Sequence, residues 1–371
     1  MAVPARSRQR GLLVNLAVMA GSIAVFLAFC ELVVFRFVLP GSDVPRNAFI
    51  DELVRYAPGQ SGHWRVRDEI DAPFSINGEG WNSPLPAYPR ERKPGVRRLA
   101  FVGDSFVEAL QVPFDRSFAE VAAEALGSAG PVETYRYGIA GAPMSQYVQM
   151  VEREVGQARP DTIVVLLVHN DFDESFVFKP GRYTSSFRKL VVENGKVTGE
   201  LPPTPWHPGP VEILRRTATA GFFLYRWQVR PQAIAEAILG PAQAAEGGYA
   251  ANVEIGAVLA READIRAATD HVVGRLKALA QAAGARLQLV MDGDRAAIEA
   301  GRDGSPALRL NAIAAAAAAR HGVPFLDLHP VFAAEWAAEH KPFAFASDAH
   351  WNAYGHAVAG RAIAAALAAQ P

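Results

Sequence analysis

Residues 98–105 read RLAFVGDS, a short apolar run that ends in a Gly-Asp-Ser turn. Apolar residues then recur at helical spacing over 118–126, so the sequence predicts a buried strand followed by a helix. Two further strands, at 132–137 and 162–168, are separated by a helix that begins near Ser145. Strands that alternate with helices are typical of parallel βαβ units, so we expect an α/β domain with a parallel sheet.

The first and last helices of this domain have capping candidates. Asp115 can cap the helix over 118–126, and Gly127 can end it. Asn352 is a suitable cap for a final helix that begins at Ala353, because a side-chain oxygen at this position can accept from a free backbone N–H.

The alternation of strands and helices breaks between 175 and 239. Lys189 to Glu200 is expected to form a hairpin that turns at Asn194-Gly195, followed by a Pro-rich loop and an aromatic helix. We interpret about 175–250 as an insertion, and insertions at the strand ends of such folds commonly shape a cleft. The pattern then resumes with a helix near 255–283, a strand at 286–291, an Ala-rich helix, a strand at 323–326 and the final helix.

The N-terminal segment has the composition of a membrane span. From Gly11 to Cys30 it carries no charged side chain, and a helix of this length covers roughly the 30 Å of bilayer hydrocarbon. The arginines before it predict a cytoplasmic N-terminus and an exported body. A cleaved signal peptide is the alternative, but apolar residues continue to Val38, beyond the usual core of such a signal.

These features predict a chain of four parts in the cell inner membrane, with the main body on the periplasmic or extracytoplasmic side. Residues 1–10 form a basic cytoplasmic tail, and 11–39 form a single transmembrane anchor. A Pro- and Gly-rich stretch, 40–97, is expected to be a stalk or N-terminal arm that partly packs on the body. Residues 98–371 form the α/β domain with its insertion.

Composition excludes several classes of function. The 37 basic and 38 acidic residues leave a net charge of −1, so nucleic acid is not an expected partner. Cys30 is the only cysteine, which excludes an intramolecular disulfide and a cysteine-built metal site. Asp292 and Asp294 follow a strand, but no partner spacing supports a metal there. We therefore expect neither a metal nor a cofactor.

Three strand ends carry groups suited to cleaving an ester. In a doubly wound sheet, ligands bind beyond the carboxyl ends of the strands, so Ser105 would be presented to a cleft. Gly141 can bring a backbone N–H to a developing oxyanion, and Asn170 can add its side-chain amide. The alternatives are a helix-capping serine, a plain loop glycine and an Asn-Asp turn.

A nucleophilic serine needs a base, because its hydroxyl is weakly nucleophilic at neutral pH. Residues 347–352 read SDAHWN and supply one immediately before the last helix. Asp348 can orient the imidazole of His350 through Nδ1, which leaves Nε2 to take the Ser105 proton. The alternative is a surface turn with an exposed histidine.

Together these pieces resemble the SGNH/GDSL hydrolase superfamily, over roughly 98–170 and 345–360. The resemblance implies a flavodoxin-like, three-layer α/β/α fold. It also implies Ser105 as the nucleophile and His350, paired with Asp348, as the base. The oxyanion hole would be formed by the Ser105 backbone N–H with Gly141 and Asn170.

The sequence departs from the superfamily pattern at two positions. Val168 stands where a glycine is usual, and Ser347 stands where the acidic residue three before the histidine is usual. The shorter Asp-x-His-Trp-Asn block is similar to that of O-acetyltransferases that modify alginate and related exopolysaccharides. Trp351 can be a cleft residue or a buried anchor, while His169 and His356 are expected to be structural.

The resemblance implies a membrane-anchored serine esterase or acyltransferase. Its substrate would be an acylated carbohydrate or another ester, with O-acetyl groups of an envelope or exported polysaccharide expected first. A catalytically inactive glycan-binding or scaffolding component of an envelope assembly is the alternative, and the two departures leave it open. No protein partner is indicated by the sequence.

Overall fold

A computed structural model describes residues 5–178, 183–229, 249–250, 253–302 and 304–370. The chain divides into two compact units, described separately below. The smaller unit comprises residues 1–44, 65–68 and 208–241, and the larger comprises residues 45–64, 69–207 and 242–371.

The described strands pair into one five-stranded sheet and four two-stranded sheets. They are β1 Asn47–Ile50, β2 Leu53–Tyr56, β3 Ser61–Val66, β4 Ile70–Ser75, β5 Arg97–Gly103, β6 Val132–Gly138, β7 Thr162–Leu167, β8 Lys189–Glu193, β9 Lys196–Leu201, β10 Tyr249–Ala250, β11 Val253–Glu254, β12 Arg286–Met291 and β13 Phe325–Asp327.

The helices of the described residues are mostly short or of medium length. The α-helices are α1 Ala5–Phe29, α2 Ser105–Glu108, α3 Phe118–Leu126, α4 Met144–Arg153, α5 Asp171–Glu174, α6 Pro210–Leu214, α7 Ala218–Ala220, α8 Ile255–Leu259, α9 Glu262–Ala282, α10 Arg295–Glu299, α11 Leu308–Arg320, α12 Leu328–Glu339 and α13 Ala353–Ala368. Two π-helices, Cys30–Val38 and Gly221–Arg226, and short 3₁₀ turns at Phe114–Arg116, Gly127–Ala129, Val155–Ala158 and Thr184–Ser186 complete the set.

The five-stranded sheet is parallel and has the order β13-β12-β7-β5-β6. Numbered by appearance within this sheet, the order is 2-1-3-4-5, which is the flavodoxin-like arrangement and confirms the predicted fold class. The strand order reverses between β5 and β7, and a crevice opens at such a point outside the carboxyl ends of the strands. Ser105 follows β5 and Asn170 follows β7.

Alternate residues of the central strands supply two hydrophobic cores, one on each face of the sheet. On β5, Ala100 and Val102 belong to the core that also contains residues of α4, α9 and α11. Leu99 and Phe101 belong to the second core, with residues of α3, α12 and α13. Helices on both faces explain why these strands are apolar throughout, as expected for a parallel sheet.

Residues upstream of β5 contribute to the first core rather than only covering it. Leu53, Tyr56, Trp81 and Tyr88 are all buried there. Trp81 packs edge-on against Tyr137 of β6, with ring centroids 5.3 Å apart. The segment interpreted as a stalk or arm therefore contains two small β-hairpins and several core side chains.

The cap predicted for α3 is wrong. Ser117 is the N-cap residue, and its hydroxyl accepts from the backbone N–H of Glu120 at 3.5 Å. Asp115 lies in the 3₁₀ turn that precedes it. Asn352 does cap α13, accepting from the N–H of Gly355 at 2.9 Å.

The inserted region contains the expected hairpin. Strands β8 and β9 pair antiparallel, and Asn194 and Gly195 both have positive φ, of 51° and 73°. Two consecutive residues in this conformation match the twist of a two-residue hairpin turn, which explains the Asn-Gly pair. Helices α6 and α7 and the second π-helix follow, while the insertion's residues 230–248 lie outside the described part of the chain.

Gly138 is required for the close approach of β6 to α2. A Cβ at this position would clash with the backbone nitrogen of Glu108 and would lie 2.7 Å from the carbonyl carbon of Val107. These are backbone atoms, so they cannot move aside without displacing the helix that begins at Ser105.

We expect Gly138→Ala to lower the free energy of unfolding by about 1–3 kcal/mol, because extra volume in a packed site forces backbone shifts. Gly127→Ala is the matched control, since a Cβ at Gly127 meets nothing within 4 Å. Thermal unfolding followed by circular dichroism would test this. Equal midpoints for the two variants would show that a Cβ at position 138 is accommodated without strain.

Candidate active site

Ser105 is the first residue of α2, at the point where β5 ends. Asp104 is the N-cap residue of this helix, and its Oδ1 accepts from the backbone N–H of Phe106 at 3.0 Å. The helix stops after one turn because Ala109 adopts a left-handed conformation, with φ of 50°. This tight strand-to-helix turn holds the hydroxyl of Ser105 at the carboxyl edge of the sheet.

Three of the predicted site residues form a hydrogen-bonded series. The Oγ of Ser105 lies 2.7 Å from Nε2 of His350. On the other side of the ring, Nδ1 of His350 is hydrogen-bonded to Oδ1 of Asp348. The backbone N–H of His350 also donates to that carboxylate, at 3.0 Å. A proton on Nδ1 leaves Nε2 free to accept from the Ser105 hydroxyl.

The carboxyl group of this series and that of the neighbouring Asp104 have shifted pKa values, in opposite directions. Burial alone would raise the pKa of Asp348, but the hydrogen bond and charge of His350 outweigh it and hold the pKa below its ordinary value. Burial raises the pKa of Asp104 to about 6, although the Phe106 N–H and the nearby His350 oppose the rise. Asp348 is thus the carboxylate that stays ionised next to the imidazole.

The loop that carries Asp348 and His350 is fixed from upstream by Glu69. One carboxylate oxygen of Glu69 accepts from the N–H of Ala346 at 2.7 Å. The other accepts from the N–H of Ser347 at 2.8 Å and from its hydroxyl at 2.5 Å. Burial would raise the pKa of Glu69, but these bonds hold the pKa below its ordinary value. Ser347, one of the two departures from the superfamily pattern, therefore binds Glu69 through both its backbone and its side chain.

Asn352 fixes the other end of the same loop. Its Nδ2 donates to the carbonyl oxygens of Pro342 and Ala344, at 2.8 and 3.0 Å, while its Oδ1 caps α13. Trp351 is fully buried between these anchors, and its Nε1 donates to Asp292 at 3.2 Å. The loop is therefore fixed on both sides of His350, at residues 346–347 and at residues 351–352.

The two predicted oxyanion donors occupy the strand ends on either side of β5. Asn170 precedes α5, and its side chain makes no capping bond to that helix. It lines a cavity together with His350. Gly141 follows β6 in a turn with φ of 72°, which favours glycine. Apart from its two chain neighbours, no atom of the described residues lies within 4 Å of the position its Cβ would take.

The cavity beside His350 has a volume of about 280 Å³. Its lining is mainly apolar, with Asn170 and His350 among its polar groups. Arg295 also borders it and is bound to Asp292 at 3.2 Å and to the carbonyl oxygen of Ala349 at 2.9 Å. The apolar lining includes Phe106, Val168, Ala344 and Ala349.

The remaining polar candidates have structural partners. Asp292 binds Trp351 and Arg295, and Asp294 caps α10. Within the ranges that the structure describes, no group of three His, Cys, Asp or Glu side chains is placed to hold a metal ion. His169 borders the cavity, and its Nε2 lies 3.0 Å from Oδ1 of Asn311. His356 is buried and accepts from the N–H of Phe118 at 3.2 Å.

Sequence reasoning missed Glu108, which connects the helix that begins at Ser105 to three other segments of the larger unit. Its carboxyl group is hydrogen-bonded to the hydroxyl of Tyr56 and to the backbone N–H of Ala140, the neighbour of Gly141. Its carbonyl oxygen accepts from Asn82 at 2.8 Å. Burial raises the pKa of Glu108 to about 8, against the opposing effect of the Ala140 N–H and of Arg136. The group is therefore mainly protonated at neutral pH.

Glu69 was also missed, and neither residue could have been found by motif. Glu69 stands in the charged run Arg67-Asp68-Glu69, which has the composition of a solvated turn. Glu108 stands inside the apolar segment FVEAL of residues 106–110, and a lone carboxyl in such a place is the available signal that it has a buried partner.

The raised pKa of Glu108 predicts a pH-dependent stability. The folded protein holds this proton more tightly than the unfolded chain, so the free energy of unfolding decreases as pH rises from the ordinary range of a glutamate through about 8. Glu108→Gln removes the titrating group and should flatten this decrease.

Thermal midpoints measured from about pH 6 to about pH 9 would test this prediction. Glu124→Gln, which replaces an exposed carboxylate on α3, should keep the wild-type slope. If Glu108→Gln and the wild type lose stability equally over this range, Glu108 does not hold the proton.

Comparison with known proteins gives one match in sequence and several distant likenesses in structure. Residues 255–371 match the family model described as the SGNH hydrolase-like domain of the acetyltransferase AlgX. This segment contains both Asp348 and His350. No curated protein matches the chain in sequence.

Three solved structures illustrate the likeness in fold. LAE5, an α/β hydrolase from the metagenome of Lake Arreo, Spain, has 13% identity and a TM-score of 0.41, over 75% of this chain and 97% of its own. An acetylxylan esterase from Geobacillus stearothermophilus, Axe2, has 14% identity and a TM-score of 0.41, over 74% and 96%. A two-domain esterase active on acetylated mannans, CEX, has 11% identity and a TM-score of 0.39, over 74% and 49%.

These structural likenesses are too distant to identify a substrate. The sequence match covers the segment that carries Asp348 and His350, and it supports an ester hydrolase or an O-acetyltransferase. The resemblance predicted from the Gly-Asp-Ser and Asp-x-His blocks is thereby confirmed: the chain has an SGNH-like α/β fold, and its residues 255–371 match the SGNH hydrolase-like domain of the AlgX acetyltransferase family.

Proposed function

We propose that this protein is a membrane-anchored serine esterase or O-acyltransferase that acts on O-acetyl esters of an envelope or exported polysaccharide. The observation that carries the proposal is the hydrogen-bonded series Ser105–His350–Asp348 at the switch point of the sheet. A serine, an imidazole and a carboxylate in this order are the arrangement that activates a hydroxyl nucleophile.

In the first half-reaction, Ser105 Oγ attacks the carbonyl carbon of the ester while Nε2 of His350 takes the hydroxyl proton. The resulting oxyanion accepts from the backbone N–H groups of Ser105 and Gly141 and from the amide of Asn170. The bond to the alcohol oxygen then breaks, and the imidazolium of His350 gives its proton to the departing alkoxide. Asp348 stabilises the imidazolium throughout.

In the second half-reaction, a hydroxyl group attacks the acyl-Ser105 ester, and His350 again takes and returns one proton. Water as the attacking group gives an esterase, and a sugar hydroxyl gives an O-acyltransferase. The same residues serve both outcomes, so the two activities share one site. The matched family model is that of an acetyltransferase, which favours the second outcome.

The cavity supports a short acyl group. Its volume of about 280 Å³ is at or below the lower end of the range of small-molecule pockets. Val168 stands where a glycine is usual in the superfamily and lines this cavity with Phe106. Both side chains reduce the space next to His350, which suits an acetyl group better than a long acyl chain.

Membrane anchoring is supported by one helical stretch. Residues Arg10–Val38 form a helical stretch of 29 residues, whose most apolar 18-residue window has a mean hydropathy of 2.4 and is not buried. We propose that residues 11–39 span the inner membrane, with the tail 1–10 cytoplasmic. The arm 40–97 and the domain 98–371 would then be periplasmic.

The inactive scaffolding alternative rested on two departures from the superfamily pattern. Ser347 does not leave His350 without a carboxylate, because Asp348 binds Nδ1 and Glu69 binds Ser347. Val168 narrows the cavity but leaves the Ser105–His350 contact at 2.7 Å. The geometry therefore favours the active enzyme.

Ser105→Ala is expected to abolish release of p-nitrophenol from p-nitrophenyl acetate and covalent labelling by a fluorophosphonate, because the attacking oxygen is gone. Asp348→Asn should lower kcat by on the order of 10²- to 10⁴-fold, since the imidazole loses its orienting carboxylate. Ser128→Ala, at an exposed serine, is the control and should keep full activity. Turnover by Ser105→Ala at the wild-type rate would overturn the proposed function.

Glu69→Gln is expected to lower kcat by about tenfold while KM stays nearly constant. Its amide would replace one of the two carboxylate oxygens that bind Ala346 and Ser347, so the loop that positions His350 would loosen. The rate of fluorophosphonate labelling should fall in parallel with kcat, although thermal stability is retained.

Asp71→Asn is the matched control for Glu69→Gln, because Asp71 lies two residues further along the same hairpin and binds His63 instead. A parallel loss of activity in both variants, or a change confined to KM, would contradict a positioning role for Glu69.

A further inference from the structure

In the smaller unit, helix α7 is bound to the end of the apolar N-terminal stretch through Glu31. The carboxylate of Glu31 accepts from the backbone N–H of Ala218 at 2.7 Å. It also accepts from the N–H and the hydroxyl of Thr219, both at 2.9 Å. Glu31 is an acidic residue inside the stretch Arg10–Val38, and a polar group in such a stretch needs a partner of this kind.

Aromatic packing fixes the same two segments one helical turn further along. The ring of Phe35 lies 4.8 Å from that of Phe222 and 5.4 Å from that of Phe223, measured between centroids. The N–H of Ser42 donates to the carbonyl oxygen of Gly221 at 3.1 Å. A Cβ at Gly41 would lie 2.6 Å from the backbone nitrogen of Phe222, so the two backbones are in direct contact.

Residues 210–227, which include this contact, expose several large apolar side chains. They come from helix α6, from the second π-helix and from the residue that follows it, while Glu212 within α6 is buried. Arg216 is also exposed. The apolar side chains and their exposed fractions are Val211 58%, Ile213 63%, Leu214 66%, Phe223 43%, Leu224 40% and Trp227 40%.

Six exposed large apolar side chains within 17 residues indicate a surface that is covered in the working protein. Its position relative to the N-terminal helix suggests what covers it. Glu31 and Phe35 belong to the last turns of the apolar stretch, so a segment bound to both must lie at the depth where that stretch leaves the hydrocarbon. Exposed apolar side chains continue from the N-terminal helix, for example at Phe37, which is 78% exposed.

We propose that residues 210–227 form an interfacial membrane-binding surface, with α6 and the second π-helix embedded in the bilayer boundary beside the anchor. The inference rests on the proposed membrane anchoring. Trp227 would lie at the headgroup level, where tryptophan is enriched, and the stem of Arg216 would lie along apolar surface with its guanidinium toward lipid phosphates. The occupant of this surface is thus the lipid bilayer, as in amphipathic helices that lie in the interface.

The test uses the full chain reconstituted into vesicles of phosphatidylcholine and phosphatidylglycerol. In a Cys30→Ala background, single cysteines replace Ile213, Leu224, Val25 and Thr198, and each carries a nitroxide label. Collision rates with oxygen, which concentrates in lipid, and with a water-soluble nickel chelate report the surroundings of each label. Val25→Cys reports the anchor, and Thr198→Cys, at an exposed site in the larger unit, reports water.

We expect the ratio of oxygen to nickel collisions at Ile213→Cys and Leu224→Cys to rise well above that at Thr198→Cys, toward the value at Val25→Cys. If both labels match Thr198→Cys while Val25→Cys is in lipid, the anchoring stands and the interfacial surface is wrong. If neither oxygen nor the nickel chelate reaches the labels at 213 and 224, these positions are covered by protein, and the interfacial surface is also wrong. A water-exposed Val25→Cys would overturn the anchoring itself.

Discussion

The 2.7 Å contact between Ser105 Oγ and His350 Nε2 joins residues 245 positions apart, so it depends on how each of the two residues is held in place. One partner stands on a one-turn helix at the end of a buried strand, so its position is set by the sheet. The other stands in a loop, which has no such support. The loop is instead held by Glu69, by Asn352 and by the buried ring of Trp351. A hydrogen bond between a rigid and a flexible element requires that the flexible one be fixed separately.

The fold and the contact of Ser105, His350 and Asp348 could be predicted because their determinants are short blocks of sequence. Apolar runs of strand length, and the short blocks that end them, predict both a parallel sheet and the residues at its carboxyl edge. The Asn194-Gly195 hairpin and the Asn352 cap were predictable for the same reason. Asp115 was a wrong choice because Ser117, only two residues on, can make the same cap and is the one adjacent to the helix.

Glu69 and Glu108 could not be predicted because their roles depend on contacts between distant segments. Glu69 reaches a loop 278 residues further along the chain, and no periodicity or motif records such a pairing. The Pro- and Gly-rich composition of 40–97 favoured a stalk, whereas Tyr56, Trp81 and Tyr88 are core residues. The composition of 40–97 reflects its many loops. Where the segment packs is decided instead by the few large side chains that it buries.

The two hairpins upstream of β5 have a practical consequence for isolating the hydrolase-like domain. A fragment cut at residue 98, where the α/β pattern begins, would lack Glu69 and Tyr56 and the ring of Trp81. It would keep every residue of the Ser105–His350–Asp348 series but lose part of what orders it. A soluble fragment intended for crystallisation or inhibitor screening should therefore begin no later than residue 45, where the larger unit starts.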